Sequence, residues 1–319
     1  MISCLICNSQ TSFFLKKDGH DFQKCPACGL VFVHPQPNEE YIAHEVYSEK
    51  SGYQKHKKKD LSTVKENFHI KKILSYLEKQ FPRQLRAVPR SEPRSATGVE
   101  SASSPRLLDV GCSNGEFLFF AKQRGFETYG VELNKLTAEI AIANGLNVKI
   151  GTLENAQYAD NFFDVIFLGD IIEHMPSPLA LLAECRRILK SNGTLVISTP
   201  NLDSFWAQAT FKLYTWFKIP WSALTPPHHL FQFSEQNLKL FLKENGFAPT
   251  ATWYRRPPRL KYELGSLHLW GRFKREKTLK NLFFMLFAFA VYTKLYIFDL
   301  LITLFKKKDF GMIVACKKF

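Results

Sequence analysis

From about residue 106 onward, short apolar runs alternate with segments whose apolar residues recur every three to four positions. RLLDV predicts a strand, Asn114 to Arg124 a helix, ETYGVEL a second strand, Leu136 to Ala143 a second helix, and NVKI a third strand. FFDVIFLG follows, apolar on both faces as a buried strand should be, then a helix over Leu179 to Leu189, the Asn192-Gly193 turn, and the strand TLVISTP. Strands that alternate with helices imply a mostly parallel sheet in an α/β fold. Beyond them the pattern predicts a helix over Glu235 to Glu244, stopped by Asn245-Gly246, and strands at Ala248 to Tyr254 and Met312 to Ala315.

The rest of the chain divides by composition. Residues 1–36 are short apolar pieces hung between cysteine pairs, and 37–85 form a charged connecting segment with Ile70, Ile73, Leu74 and Leu77 at helical spacing. Residues 86–105, rich in Ser, Pro, Ala and Arg, lack periodicity and read as a flexible insert before the large domain at 106–319. With 319 residues, 45% of them apolar, a full core is expected. A net charge of +14 favours anionic partners without choosing among nucleic acid, an acidic membrane surface and a phosphorylated substrate. The opening MISCLICNSQ has no secretory pattern, and the cysteine usage suits a reducing compartment, so a cytoplasmic protein is expected.

Cys4-x-x-Cys7 and Cys25-x-x-Cys28 offer two pairs of thiolates on tight turns, separated by 17 residues. That spacing suits a zinc ribbon: four thiolates close a tetrahedral shell around Zn2+ and leave no open position, so the ion's expected role is structural or docking. Strands this short lack the core to fold alone, and metal would supply the missing stability.

In LLDVGCSNGEF, Asp109, Gly111 and Gly115 stand where a buried strand ends and a helix begins, the place where open α/β sheets bind nucleotides. Glu132 closes the next strand 21 positions after Gly111, a distance at which a carboxylate can receive ribose hydroxyls. Ser113 fills the middle glycine position of a dinucleotide fingerprint, which weakens a pyrophosphate reading. The stretch Leu107 to Gly115 resembles the first motif of class I S-adenosylmethionine-dependent methyltransferases. Val131-Glu132, the turn Gly151 to Glu154, Phe163-Asp164-Val165-Ile166 and Glu173-His174 are similar to the motifs that follow it. His229 to Ser234, with Leu238, Leu242 and Gly246-Phe247, resembles the post-core motif of a bacterial subgroup, many of whose members carry a ribbon. The resemblance implies a Rossmann-like, mostly parallel, seven-stranded methyltransferase sheet with a small N-terminal zinc ribbon and an apolar helical C-terminal insertion. It also implies that Gly111, Cys112 and Gly115 flank the methionine part of S-adenosylmethionine. Asp109 would orient the methionine amino group, Glu132 and Leu133 would hold the ribose, Leu153 and Glu154 would border the adenine, and Gly169 would line the far wall.

A sulfonium is already a good leaving group, so such an enzyme chiefly aligns the acceptor, with a base where a hydroxyl or carbon is methylated. His174 is the first candidate base, with His229 and His228, in a rigid Pro-Pro turn, as others. The aromatic stretch Phe205 to Trp221 falls within 201–233, the expected acceptor lid, and residues 275–306 read as apolar helices. Residues 282–305 are long enough to cross a bilayer but hold Lys294 and Asp299, and the strand at Met312 should return to the same sheet. A peripheral position on the inner membrane surface, or a cover over a lipid-like acceptor, is therefore expected rather than a span. The expected acceptor is a small molecule, sugar or lipid-linked intermediate. Two other readings stand beside it: an RNA methyltransferase, for which Lys55 to Lys59 supply basic charge but no RNA-binding module is visible, and a non-catalytic protein that keeps the fold. Oligomeric state is not legible in the sequence.

Overall fold

The computed structural model describes residues 2–37, 60–86, 103–255, 260–266, 278–301 and 309–319. In chain order they form β1 (Ser12–Lys17), β2 (His20–Lys24), β3 (Val31–Val33), α1 (Phe68–Gln80), α2 (Pro82–Arg86), β4 (Arg106–Val110), α3 (Glu116–Gln123), β5 (Glu127–Glu132), α4 (Lys135–Ala143), β6 (Val148–Ile150) and β7 (Phe163–Gly169). There follow α5 (Pro178–Ile188), β8 (Leu189–Pro200), α6 (Phe205–Phe217), β9 (Phe231–Gln232), α7 (Glu235–Glu244), β10 (Phe247–Arg255), α8 (Leu260–Ser266), α9 (Leu279–Leu301) and β11 (Gly311–Lys318). The Lys55 to Lys59 run and most of the 86–105 insert lie outside the described residues.

Two compact units divide the chain, and they cut across its composition segments. The first joins Met1–Asn38 with Ser198–Phe241 and Thr252–Ile313. In it, β1, β2, β3 and β9 make a four-stranded sheet whose successive pairs are antiparallel. One face of this sheet packs Leu15, Phe22, Val31 and Val33 against Trp221 and Leu224. The amine of Lys17 donates to the carbonyls of both Trp221 (2.8 Å) and Leu224, tying β1 to that turn.

The second unit, Glu39–Ile197 with Leu242–Ala251 and Val314–Phe319, carries the seven-stranded sheet in the order β10-β11-β8-β7-β4-β5-β6. The pairs β4–β5, β4–β7 and β5–β6 are parallel, as the apolar-run pattern requires. Leu107, Leu108, Val165, Ile166, Val196 and Ile197 are fully buried in its strands, the continuous apolar signature of a sheet covered on both faces. Side-chain caps start the helices where the sequence places polar residues: Asn67 accepts from His69 and Ile70 before α1, Asn134 from Leu136 and Thr137 before α4, and Ser177 from Ala180 before α5.

The starts of α3 and β8 differ from the sequence pattern for a visible reason. Helix α3 begins at Glu116 rather than Asn114, because Gly115 is left-handed (φ 82°) and ends a turn first. No turn separates α5 from its strand at Asn192-Gly193; β8 starts at Leu189 and runs through both residues, with Asn192 left-handed at φ 60°. The segment ahead of Asn192 is held flat on its neighbours: the Lys190 amine donates to Asp164 on β7 at 2.8 Å, and that of Lys318 on β11 donates to the Leu189 carbonyl at 2.5 Å.

In α1, Ile73, Leu74 and Leu77 are buried while Ile70 is only half-buried. Leu74→Ala is expected to cost about 2–5 kcal/mol in urea unfolding and Ile70→Ala under about 1 kcal/mol, the difference being the cavity left at a fully buried site.

Candidate functional site

The carboxyl ends of β4 and β5 lie side by side in parallel register, with Val110 opposite Val131, so the loop after β4 meets the residue that closes β5. Gly111 N–H (2.8 Å) and Cys112 N–H (3.1 Å) both donate to the Val131 carbonyl. The next N–H, of Ser113, donates to Glu132 Oε2 at 2.8 Å, and Asn134 N–H donates to Glu132 Oε1 at 2.8 Å. Each carboxylate oxygen thus has one backbone donor and a second acceptor direction left over. A phosphate-binding loop keeps its N–H groups pointing at the ligand; here three in succession are spent on β5, and the loop is not built as an anion cradle.

The glycines serve packing. A Cβ on Gly111 would lie 2.2 Å from Ile171 Cδ1, and one on Gly115 would lie 2.3 Å from Leu146 Cδ1 and 2.9 Å from Ala141 Cβ. Both have positive φ, 71° and 82°. Ser113 is left-handed as well (φ 49°), so this serine adopts the conformation that a glycine would take more cheaply. Cys112 is buried, its sulfur in the space a Cβ on Gly130 would need, and burial raises its thiol pKa, so it is a wall rather than a nucleophile.

Asp109 is almost wholly buried, and desolvation, with the Glu132 charge added, pushes its carboxyl well above the usual carboxylate range. Burial raises Glu132 too, but the N–H groups of Asn134, Ser113 and Leu133 pull the other way. Burial thus raises both carboxyls, and of the two only Glu132 has backbone donors that oppose the rise.

Gly151 N–H donates to the Glu132 carbonyl at 2.9 Å, which fixes the following turn beside β5. In that turn Leu153 is buried and Glu154 exposed, while Leu133, next to Glu132, is 45% exposed. Gly169 ends β7, where a Cβ would strike the Phe167 ring at 2.7 Å. His174 follows it in the second unit, buried, its N–H donating to the Ile171 carbonyl at 2.9 Å and its Nε2 4.0 Å from Glu173 Oε1. His228 and His229 belong to the first unit; His229 N–H donates to the Thr225 carbonyl at 3.0 Å, and its side chain lines a cavity of about 150 Å3 with Asn201, Ser222, Thr225 and Gln232. Sequence reasoning missed Asn134, whose N–H holds Glu132 and whose side chain caps α4; a polar residue two positions after an acidic strand end was the available signal.

In the first unit, Cys4, Cys7, Cys25 and Cys28 present sulfurs that all lie within 4.8 Å of one another, with Cys4–Cys28 at 3.5 Å and Cys7–Cys25 at 3.4 Å. Tetrahedral Zn–S bonds of about 2.3 Å place sulfurs roughly 3.8 Å apart, so the donor set fits a closed thiolate site. The two turns are built alike. Asn8 N–H donates to the Cys4 carbonyl (2.9 Å) and Gly29 N–H to that of Cys25 (3.0 Å), and both fifth residues are left-handed, at φ 56° and 76°. Asn237, ahead of β10, donates its side-chain amide to the Cys28 carbonyl at 3.3 Å.

Comparison with known proteins identifies the family. A family described as a methyltransferase domain matches residues 74–252, more than half of the chain. A ubiquinone biosynthesis O-methyltransferase of Hahella chejuensis is 31% identical over 111 residues, 32% of this chain and 47% of that protein. Another, of Histophilus somni, is 32% identical over 108 residues, 30% of this chain and 45% of that protein. The chain therefore spans less than half the length of the curated relatives it matches. A solved S-adenosylmethionine-dependent methyltransferase of Archaeoglobus fulgidus is 18% identical with a TM-score of 0.45, covering 78% of this chain and 94% of that one. On its motifs, its parallel sheet and the family match together, the chain belongs to the class I S-adenosylmethionine-dependent methyltransferases.

Proposed function

We propose that the chain transfers the methyl group of S-adenosylmethionine to a hydroxyl of a small, lipid-like acceptor. The observation that carries the cofactor half is Glu132: a buried carboxylate at a strand end, oriented by two N–H groups, with an acceptor direction on each oxygen for a vicinal diol. The acceptor half is supported by the names of the relatives, O-methyltransferases of ubiquinone biosynthesis.

In this reading Glu132 receives the ribose hydroxyls beside Leu133, while Leu153 and Glu154 border the adenine. Gly111, Cys112 and Gly115 shape the wall along the methionine part, and Gly169 closes the far side. Asp109, raised by burial, is poised to give up its proton when a cationic amino group approaches. The bound cofactor supplies an electrophilic methyl on a neutral leaving group; the protein's share is to align the acceptor oxygen and take its proton. His174 is the proposed base. His228 and His229, on the lid side of the sequence, are proposed to contact the acceptor. The four cysteines are proposed to hold one structural Zn2+.

Three outcomes test this. Calorimetric titration should show S-adenosylmethionine and S-adenosylhomocysteine binding the wild type, with Glu132→Ala weakening both about 10- to 100-fold, the worth of a lost charge-assisted hydrogen-bond pair. No binding by the folded wild type would end the reading. With a phenolic acceptor, His174→Asn should leave cofactor affinity unchanged and lower kcat about 100-fold or more; an unchanged kcat would remove His174 as base. Metal analysis should find about one zinc per chain, released by a mercurial reagent, with Cys25→Ser holding little metal and unfolding at lower temperature.

A further inference from the structure

The first unit shows a second feature that the methyltransferase reading does not use. Helix α9 is inverted relative to the surface helix of a protein surrounded by water, which turns its polar residues outward. Its inward positions are Asn281, Ala288, Tyr292 and Asp299, and Asp299 is fully buried. Tyr292 donates its hydroxyl to the Pro220 carbonyl at 3.2 Å and stands edge-on to Trp206. Outward it presents Phe283 (64% exposed), Phe289, Ile297 and Leu301, and the apolar surface continues onto Trp216 (67% exposed) and Phe217 of α6, whose ring meets Phe287 at 5.3 Å. Between the two helices runs a groove of about 500 Å3, walled by Phe205, Trp216, Leu295 and Phe298, with Lys212 of α6 and Lys294 of α9 exposed along it.

We infer that this α6–α9 face docks on an anionic lipid bilayer, with α9 lying in the plane of the interface and Lys212 and Lys294 reaching headgroup phosphates. Three arguments select that occupant. A helix of 23 residues spans about 34 Å and could cross a bilayer, but only nine residues separate Leu301 from Gly311, three of them lysine, and β11 rejoins β8 and β10 in one sheet. A crossing would require that short stretch, with its three lysines, to return through hydrocarbon to reach the sheet. A second copy seated on the face by twofold symmetry would bring four lysines into one apolar seam, whereas phosphates neutralise them. Exposed tryptophan, phenylalanine and lysine on one face is also the composition of an interfacial helix, and the whole chain carries +14.

The inference stands apart from the cofactor reading, so either can fail alone. The test is flotation of the full chain with vesicles of phosphatidylcholine alone or mixed with phosphatidylglycerol. Wild type should float with the mixed vesicles, much less with the neutral ones, and less as salt rises. Lys212→Ala and Lys294→Ala should each weaken partitioning about fivefold. Phe283→Asp combined with Phe289→Asp, both at exposed positions, should lower it at least about tenfold while circular dichroism and the thermal unfolding temperature report an intact fold. Wild type that stays in solution with anionic vesicles overturns the inference, as does flotation indifferent to lipid charge and salt. Light scattering that shows a dimer broken by the paired Phe substitutions, without flotation, would overturn it in favour of a second copy.

Discussion

The bond pair at Glu132 is the constraint around which the methyltransferase half is arranged. One carboxylate receives the N–H of the loop after β4 and the N–H that opens α4, so strand end, loop and helix start are set by a single buried charge. Backbone N–H groups already in place oppose the cost of burying that carboxylate. The same residue's backbone carbonyl fixes the Gly151 turn. Everything proposed to touch the adenosine moiety is thus positioned through Glu132 before any ligand arrives, which is preorganisation in the physical sense: the entropy of ordering the site is lost on folding, not on binding.

The first unit is organised on a different principle. Among the described residues, its four-stranded sheet packs Leu15, Phe22, Val31 and Val33 with Trp221 and Leu224, and partly buried Phe14, Phe211 and Tyr214 border that cluster. The cysteine quartet stands on the turns that precede β1 and join β2 to β3, where the proposed metal would fasten them. The pairing of β3 with β9 then passes that order on to a segment two hundred residues away in sequence.

Much of this was legible beforehand. The β-α alternation from residue 106 yielded every strand from β4 to β8 and helices α3 to α5, because continuous apolar runs and helical spacing are local signals. The cysteine spacing yielded the quartet, and the acidic strand end yielded Glu132. What was not legible is non-local. Asn192-Gly193 reads as a turn, yet Lys190 and Lys318 hold it within β8 from partners that sequence alone does not locate. The pairing of β3 with β9 leaves no periodic trace. That Ile171, Leu146 and Ala141 occupy the space a Cβ would take on the glycines of the β4 loop is likewise a packing fact with no local trace in the sequence.

Under the proposed cofactor reading, the spent N–H groups of that loop bear on selectivity against adenosine compounds that carry phosphate. A nucleoside whose 5′ arm ends in phosphate would bring anionic oxygens to a wall whose donors at 111, 112 and 113 already bond Val131 and Glu132. To accept it the loop would have to break those bonds and place a second negative charge near the Glu132 carboxylate. At the proposed adenosine site, the unliganded backbone would disfavour such a ligand before its 5′ substituent makes any contact of its own.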